Sequence, residues 1–329
     1  RRIMRVAILI GGKRRVRRLI MAAGLGIAAS LIGARGLDAL VDGVEPPDTH
    51  IPVSTLVLDR NGRLLRAFTV ADGRWRLPVT ADQVDPRYLD MLLAFEDGRF
   101  YEHPGVDPRA LTRAALQLLA NGRIVSGGST LTMQLARLLD GGSTRSPSGK
   151  LRQILAALAL ERRLDKPRIL DAYLQLAPYG GNLEGVRAAS LAWFGREPAR
   201  LSIAQAALLV ALPQSPEARR PDLHPDAARR ARDRVLDRAL AAGVIGPREA
   251  QTARGEPVPT RRRAFPLLAA HAARRALLSA PGRREHRLTI DAGLQQRLED
   301  LARERAGSLG EHVSVAVLVA DHATGEVLA

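Results

Sequence analysis

The chain has 329 residues, 46% of them hydrophobic but only 3% aromatic, so leucine, alanine and valine must fill whatever core it builds. It contains no cysteine, which excludes disulfides and thiolate metal sites. Formal net charge is +16, and lysine occurs only at 13, 150 and 166, so arginine supplies nearly all of the basic residues. Such a charge attracts anions (lipid headgroups, pyrophosphate or nucleic acid) without choosing among them.

In chain order, residues 1–18 form a basic tail. Residues 19–34, LIMAAGLGIAASLIGA, carry no charge and would span about 24 Å as a helix. That is short for a hydrocarbon core about 30 Å thick, unless Arg35 snorkels and Gly36-Leu37 extend the run. A transmembrane anchor over 19–37 is expected, with the basic flank in the cytoplasm. A cleaved signal peptide ending near Ala34 is the alternative. Residues 38–80 read as a proline-marked linker (Pro46, Pro47, Pro52) and two strands around an Asn61-Gly62 turn.

The pattern turns helical over 81–253. Asp107-Pro108 predicts a helix start, with Leu111, Ala115 and Leu118 as its apolar face and Gly122 just past its end. Ser202 and Gln205 predict a capping box for a helix over Ile203–Leu212, stopped by Pro213. Arg229–Ala242 predicts another, closed by Gly243. Residues 254–285, rich in Arg, Pro and Gly, read as an interdomain linker. Residues 286–329 read as a strand, a helix and two strands around Ala323-Thr324-Gly325.

Chemistry concentrates between Phe95 and Arg137, FEDGRFYEHPGVDPRALTRAALQLLANGRIVSGGSTLTMQLAR. Glu96 is a candidate general base, with Leu92, Leu93, Phe95 and Phe100 as apolar neighbours able to raise its proton affinity. Gly127-Gly128-Ser129-Thr130 would open a helix whose free N–H groups face an anion. Gln134 and Arg137 follow on the next turn. Lys150 and Arg152 add charge from a later helix, and Arg145 from the loop between. His103 reads as a packed, hydrogen-bonding residue rather than a metal ligand. Asp97 would orient its neighbours or touch a divalent cation such as Mg at a pyrophosphate. The stretch 109–125 would either pack on the core or dip into a membrane.

These blocks, with Lys150-Leu151-Arg152-Gln153, Ile169–Gln175, Tyr179-Gly180-Gly181, Ala206–Leu209 and Leu212–Pro216, come in an order that resembles glycosyltransferase family 51. That family is the polymerase module of class A penicillin-binding proteins. The resemblance implies a mainly α, lysozyme-like domain over 81–253. It also implies a membrane anchor and, over 286–329, the truncated start of a transpeptidase domain with a short α+β piece. No Ser stands three residues before a lysine there, so no acyl-enzyme nucleophile is present.

The implied activity is inverting polymerisation of lipid II on the outer face of the cytoplasmic membrane. Glu96 and Gln153 would be the catalytic pair. Asp97, Phe100, His103, Ser129, Thr130, Gln134, Arg137, Arg145, Lys150 and Arg152 would hold substrate. Implied partners are lipid II, the nascent glycan chain, the membrane and cell-wall synthesis proteins. No cofactor is required and no nucleic acid is expected, since no reader motif or stacking platform occurs. Tyr173, Tyr179, Gly180 and Gly181 would shape the groove.

Gln153 departs from the family pattern, which implies a second glutamate at this position. Glutamine cannot take a proton at neutral pH but still donates and accepts hydrogen bonds. Glu161, about 12 Å further along the same helical stripe, is too distant to replace it. Two rival readings remain: a glycan-cleaving enzyme of similar fold, which has no use for a basic cluster, and a non-catalytic scaffold.

Overall fold

The computed structural model describes residues 35–36, 38–121, 128–141, 146–310 and 312–329. The expected tail 1–18, the uncharged run 19–34 and Arg145 lie outside them. Among the described residues no helix is long and apolar enough to cross a membrane.

From residue 86 onward, the α-helices among the described residues are α1 (Pro86–Glu96), α2 (Pro108–Asn121), α3 (Leu131–Asp140), α4 (Pro147–Glu161), α5 (Lys166–Leu176), α6 (Val186–Phe194), α7 (Ile203–Ala211), α8 (Pro225–Ala241), α9 (Pro247–Gly255), α10 (Ala270–Ser279) and α11 (Ala292–Leu309). Their starts are written locally. Asp85, Ser146 and Asp165 each accept a first-turn N–H, with proline at one of the first two helical positions. Asp107 does the same for α2, accepting from Arg109 and Ala110 N–H. The Ser202–Gln205 capping box forms as expected. The helix stops at Ala211, and Leu212–Gln214 tighten into a 3-10 turn around Pro213. α8 begins four residues before the expected Arg229, with Pro225 at its first position.

α7 is apolar almost all round and is the central helix, with Ala204 and Ala206 through Ala211 buried. α1 and α8 pack on it, and α3 packs on α4 and α5.

Strands β1 (Thr55–Leu58) and β2 (Leu64–Phe68) pair antiparallel around the Asn61-Gly62 turn, where Gly62 has φ +82°. β3 (Trp75–Arg76) pairs parallel with β4 (Leu183–Glu184), and the buried Arg76 donates from Nε to Glu184 at 2.7 Å. β5 (Glu285–Arg287) adds parallel to β1, giving the order β2-β1-β5. Strand alternation then splits the burial. Leu56, Leu58 and Leu64 enter the main helical core, whereas Val57 and Leu65 join Leu268, Ala269, Ala273, Ile290 and Ala292 in a second core.

Two expectations are corrected here. The stretch 254–285 is not a bare linker, because it contains α10 and core residues Phe265 and Leu268. The C-terminal piece is not detached from the N-terminal hairpin either. The fully buried Asp59 carboxylate accepts from Asn61 and Arg63 N–H, from Arg63 Nε, and from Ala292 N–H at the start of α11. Burial pushes its carboxyl up, but these bonds outweigh burial and hold it below the usual range. Of the two strands expected around Ala323–Gly325, only an isolated Ala320–Val327 bridge forms.

Candidate active site

α1 ends at Glu96 because Asp97 leaves helical geometry at φ −157°, ψ 72°. The Asp97 carboxylate is buried and bonded at each oxygen. Oδ1 lies 2.9 Å from His103 Nε2, and Oδ2 accepts from Leu131 N–H, the first of α3, at 3.0 Å. Thr130 caps the same helix by accepting from Met133 N–H, and its hydroxyl donates to the Gly105 carbonyl at 2.5 Å. Gly105 sits at φ +91°, where a Cβ would meet the Ala157 carbonyl at 2.8 Å. The loop 97–107 is thereby pinned between α3 and α4.

This corrects the expected anion cradle. Two leading N–H groups of α3 already have protein acceptors, so the helix start is not an open phosphate nest. Asp97, Phe100, His103 and Thr130 are 6%, 1%, 5% and 2% exposed. They frame the site rather than present themselves to substrate. Buried and bonded at each oxygen, the Asp97 carboxylate faces the protein interior. Among the described residues no cluster of three His, Asp or Glu could hold a metal.

Glu96 itself is only partly buried. Gln134 Nε2 donates to its Oε2 at 2.8 Å, and Gln214 Nε2 donates to its Oε1 at 2.8 Å. Burial pushes its carboxyl up, with Asp97 adding to the rise. The two amides and the Arg219 guanidinium oppose it without cancelling it. A carboxylate so placed holds a proton more readily than an exposed one, as a general base requires.

A basic group stands at the start of α3 and on α4. Lys150 Nζ donates to Ser129 Oγ at 2.6 Å and to Gln153 Oε1 at 2.9 Å. Burial, with Arg137 nearby, pushes the Lys150 ammonium down. Positions 134 and 137 share one face of α3, as 150 and 153 share one face of α4. Arg137 is exposed. Arg152 is also exposed and pairs with Asp140 at 2.8 Å, an edge contact of small energetic weight.

Gln153 is buried, and its Nε2 donates to the Met133 carbonyl at 2.6 Å. These bonds tie α4 to α3 and hold Lys150. Glu161 is engaged elsewhere, with Thr132 at 2.6 Å and Lys166 at 2.7 Å. On α2, Leu111 packs against the core while Leu116 stays 62% exposed beside Arg109 and Arg113.

Sequence reasoning missed Gln214 and Arg219. Gln214 lay within the quoted Leu212–Pro216 block, but nothing local linked it to a residue 118 positions earlier. Tyr173, expected only to shape the groove, donates to Gln134 Oε1 at 3.4 Å.

The family model described as Transglycosylase matches residues 61–240. The chain is 46% identical to Penicillin-binding protein 1C of Escherichia coli (strain K12), over 84% of this chain and 36% of that protein. It is 37% identical to Penicillin-binding protein 1A of Aquifex aeolicus (strain VF5), over 63% of this chain and 28% of the other. Penicillin-binding protein 1A of Pseudomonas aeruginosa is 34% identical over 66% of this chain and 26% of its own. The chain thus spans between about a quarter and about a third of the length of these relatives.

Proposed function

The chain belongs to the transglycosylase family, and from that premise we propose that it is a peptidoglycan glycosyltransferase. It polymerises lipid II into β-1,4 glycan strands and releases undecaprenyl pyrophosphate, by inverting transfer within a lysozyme-like domain. Glu96 removes the proton from the acceptor sugar's hydroxyl as that oxygen attacks the donor's anomeric carbon. The C–O bond to pyrophosphate breaks, and the leaving group departs with the bonding electron pair. Lys150 and Arg137, with Arg152 at the edge, neutralise the charge that develops on it. Gln153 holds Lys150 in place instead of acting as a second carboxylate.

The observation that carries this reading is a carboxylate of raised proton affinity, held at both oxygens by Gln134 of α3 and by Gln214, with a half-buried lysine near Arg137 of the same helical face as Gln134. A lipid-linked substrate also accounts for the exposed Leu116 beside Arg109 and Arg113, which suits a surface lying against anionic headgroups. We place the enzyme on the outer face of the cytoplasmic membrane, anchored through residues 19–37 and working among other cell-wall synthesis proteins.

The test is lipid II polymerisation by the detergent-solubilised protein. Glu96→Gln keeps the shape but loses the proton acceptor and one of the two accepted hydrogen bonds, and should lower the rate by on the order of 10²–10⁴. Near-wild-type turnover of that variant would remove Glu96 from the mechanism.

A further inference from the structure

We infer that Gln214 and Arg219 are positioning residues for Glu96, with Arg219 fixing the Gln214 amide so that its N–H must face the base. The inference rests on the reading of Glu96 as the base.

The geometry has two matching halves. A glutamine amide can turn either its oxygen or its nitrogen to a neighbour, so whatever donates to the oxygen decides the orientation. At Gln134 that donor is the Tyr173 hydroxyl, at 3.4 Å. At Gln214 it is Arg219 Nη1, at 3.1 Å, and the same nitrogen donates to the Ala211 carbonyl at 2.6 Å, at the end of α7. Arginine has no acceptor, so the Gln214 oxygen must point to Arg219 and its N–H to Glu96. The two amides then grip opposite oxygens of the carboxylate, each at 2.8 Å. Each oxygen keeps lone-pair capacity for an incoming hydroxyl. Rotation of the carboxylate is blocked while its basic sites stay open.

The arrangement also sets proton affinity. Asp97 beside it raises Glu96 further, and the Glu96 charge in turn pushes up the buried phenols of Tyr88 on α1 and Tyr173 on α5. Arg137 on α3 stands near Tyr173, and Arg234 on α8 near Arg219. Arg238 on α8 donates to the Ala94 carbonyl of α1 at 3.3 Å. Hydrogen-bond donors and positive charge favour the ionised carboxylate, whereas burial favours the protonated one. Removing the Gln214 N–H or the Arg219 charge leaves burial less opposed. The Glu96 carboxyl then rises further, and the acid limb of activity moves to higher pH.

The experiment is the pH profile of kcat for lipid II polymerisation by the wild type, Gln214→Ala, Arg219→Met, Arg219→Lys and Glu96→Gln. Gln214 is exposed on a turn, so its truncation leaves the core packing in place, and thermal melting verifies this. In Gln214→Ala and Arg219→Met the acid limb should move up by on the order of one pH unit, a tenfold change in proton affinity. In both, kcat near neutral pH should fall more than KM changes. Arg219→Lys should restore part of the shift, because an ammonium still donates to the Gln214 oxygen. An acid limb at the wild-type position in both Gln214→Ala and Arg219→Met overturns the inference, whatever happens to kcat. Full activity of Glu96→Gln instead overturns the reading of Glu96, so the two failures are distinguishable.

Discussion

Replacing Lys150 by methionine keeps the stem and deletes the charge. Its Nζ has three N–H groups, and two are given to Ser129 and Gln153. The third is available to a phosphate oxygen. A charge-assisted bond of this kind is worth about 1.5–3 kcal/mol. At tenfold per about 1.4 kcal/mol, pyrophosphate-bearing donors should bind roughly 10–150-fold more weakly. The pH dependence carries its own sign. Burial and Arg137 depress the ammonium, so in the free enzyme it loses its proton below the ordinary lysine value of about 10.4. The alkaline limb of kcat/KM should therefore lie lower than for an exposed lysine. Lys150→Arg should abolish that limb, because guanidinium does not titrate in this range. The assay is kcat/KM for lipid II from neutral to strongly alkaline pH, with binding of undecaprenol as the phosphate-free control. Equal weakening toward undecaprenol and the pyrophosphate lipid, or an alkaline limb that survives in Lys150→Arg, would refute the assignment.

Gln153→Ala removes the bonds to Met133 and Lys150, and should destabilise the fold by about 1–3 kcal/mol in denaturant melts; an unchanged midpoint contradicts the tying role. Gln153→Glu should move the alkaline limb up, since a carboxylate beside Lys150 favours the ammonium, and an unmoved limb points to another group. Asp97→Ala strands the buried Leu131 N–H and the His103 imidazole. It should lower stability by about 2–6 kcal/mol, from about 1–3 for each group left unsatisfied. A thermal midpoint equal to wild type would show that α3 does not depend on this carboxylate.

Much of the site was legible because its parts are local. Glu96 and Asp97 are adjacent, Gln134 and Arg137 share one helical face, and Lys150 and Gln153 share another. The N-caps of α1, α2 and α4, and the Gly62 turn, follow from residue types acting on their own backbone. The phosphate nest expected at Gly127–Thr130, of which Gly127 lies outside the described residues, is closed at two N–H groups, one by Thr130 itself and one by a distant carboxylate. Asp97 arrives from 34 positions earlier, and no local pattern announces it. α10 was hidden in an Arg-, Pro- and Gly-rich stretch because its own apolar signal is thin. Only Ala273 of that helix is buried, against a core completed by Leu268 and Ile290.

The sequence by itself determined the helical character of the region after residue 81, the start of α2 and the capping box of α7, because each depends on spacing or capping within a few residues, and the order of its motifs determined the family. Only the tertiary structure decided the rest: which partners hold Glu96, that Gln153 ties Lys150 to Met133, and that β5 closes onto β1. Those contacts join residues far apart in the chain, and burial, which fixes both their geometry and their proton affinity, exists only once the helices have packed.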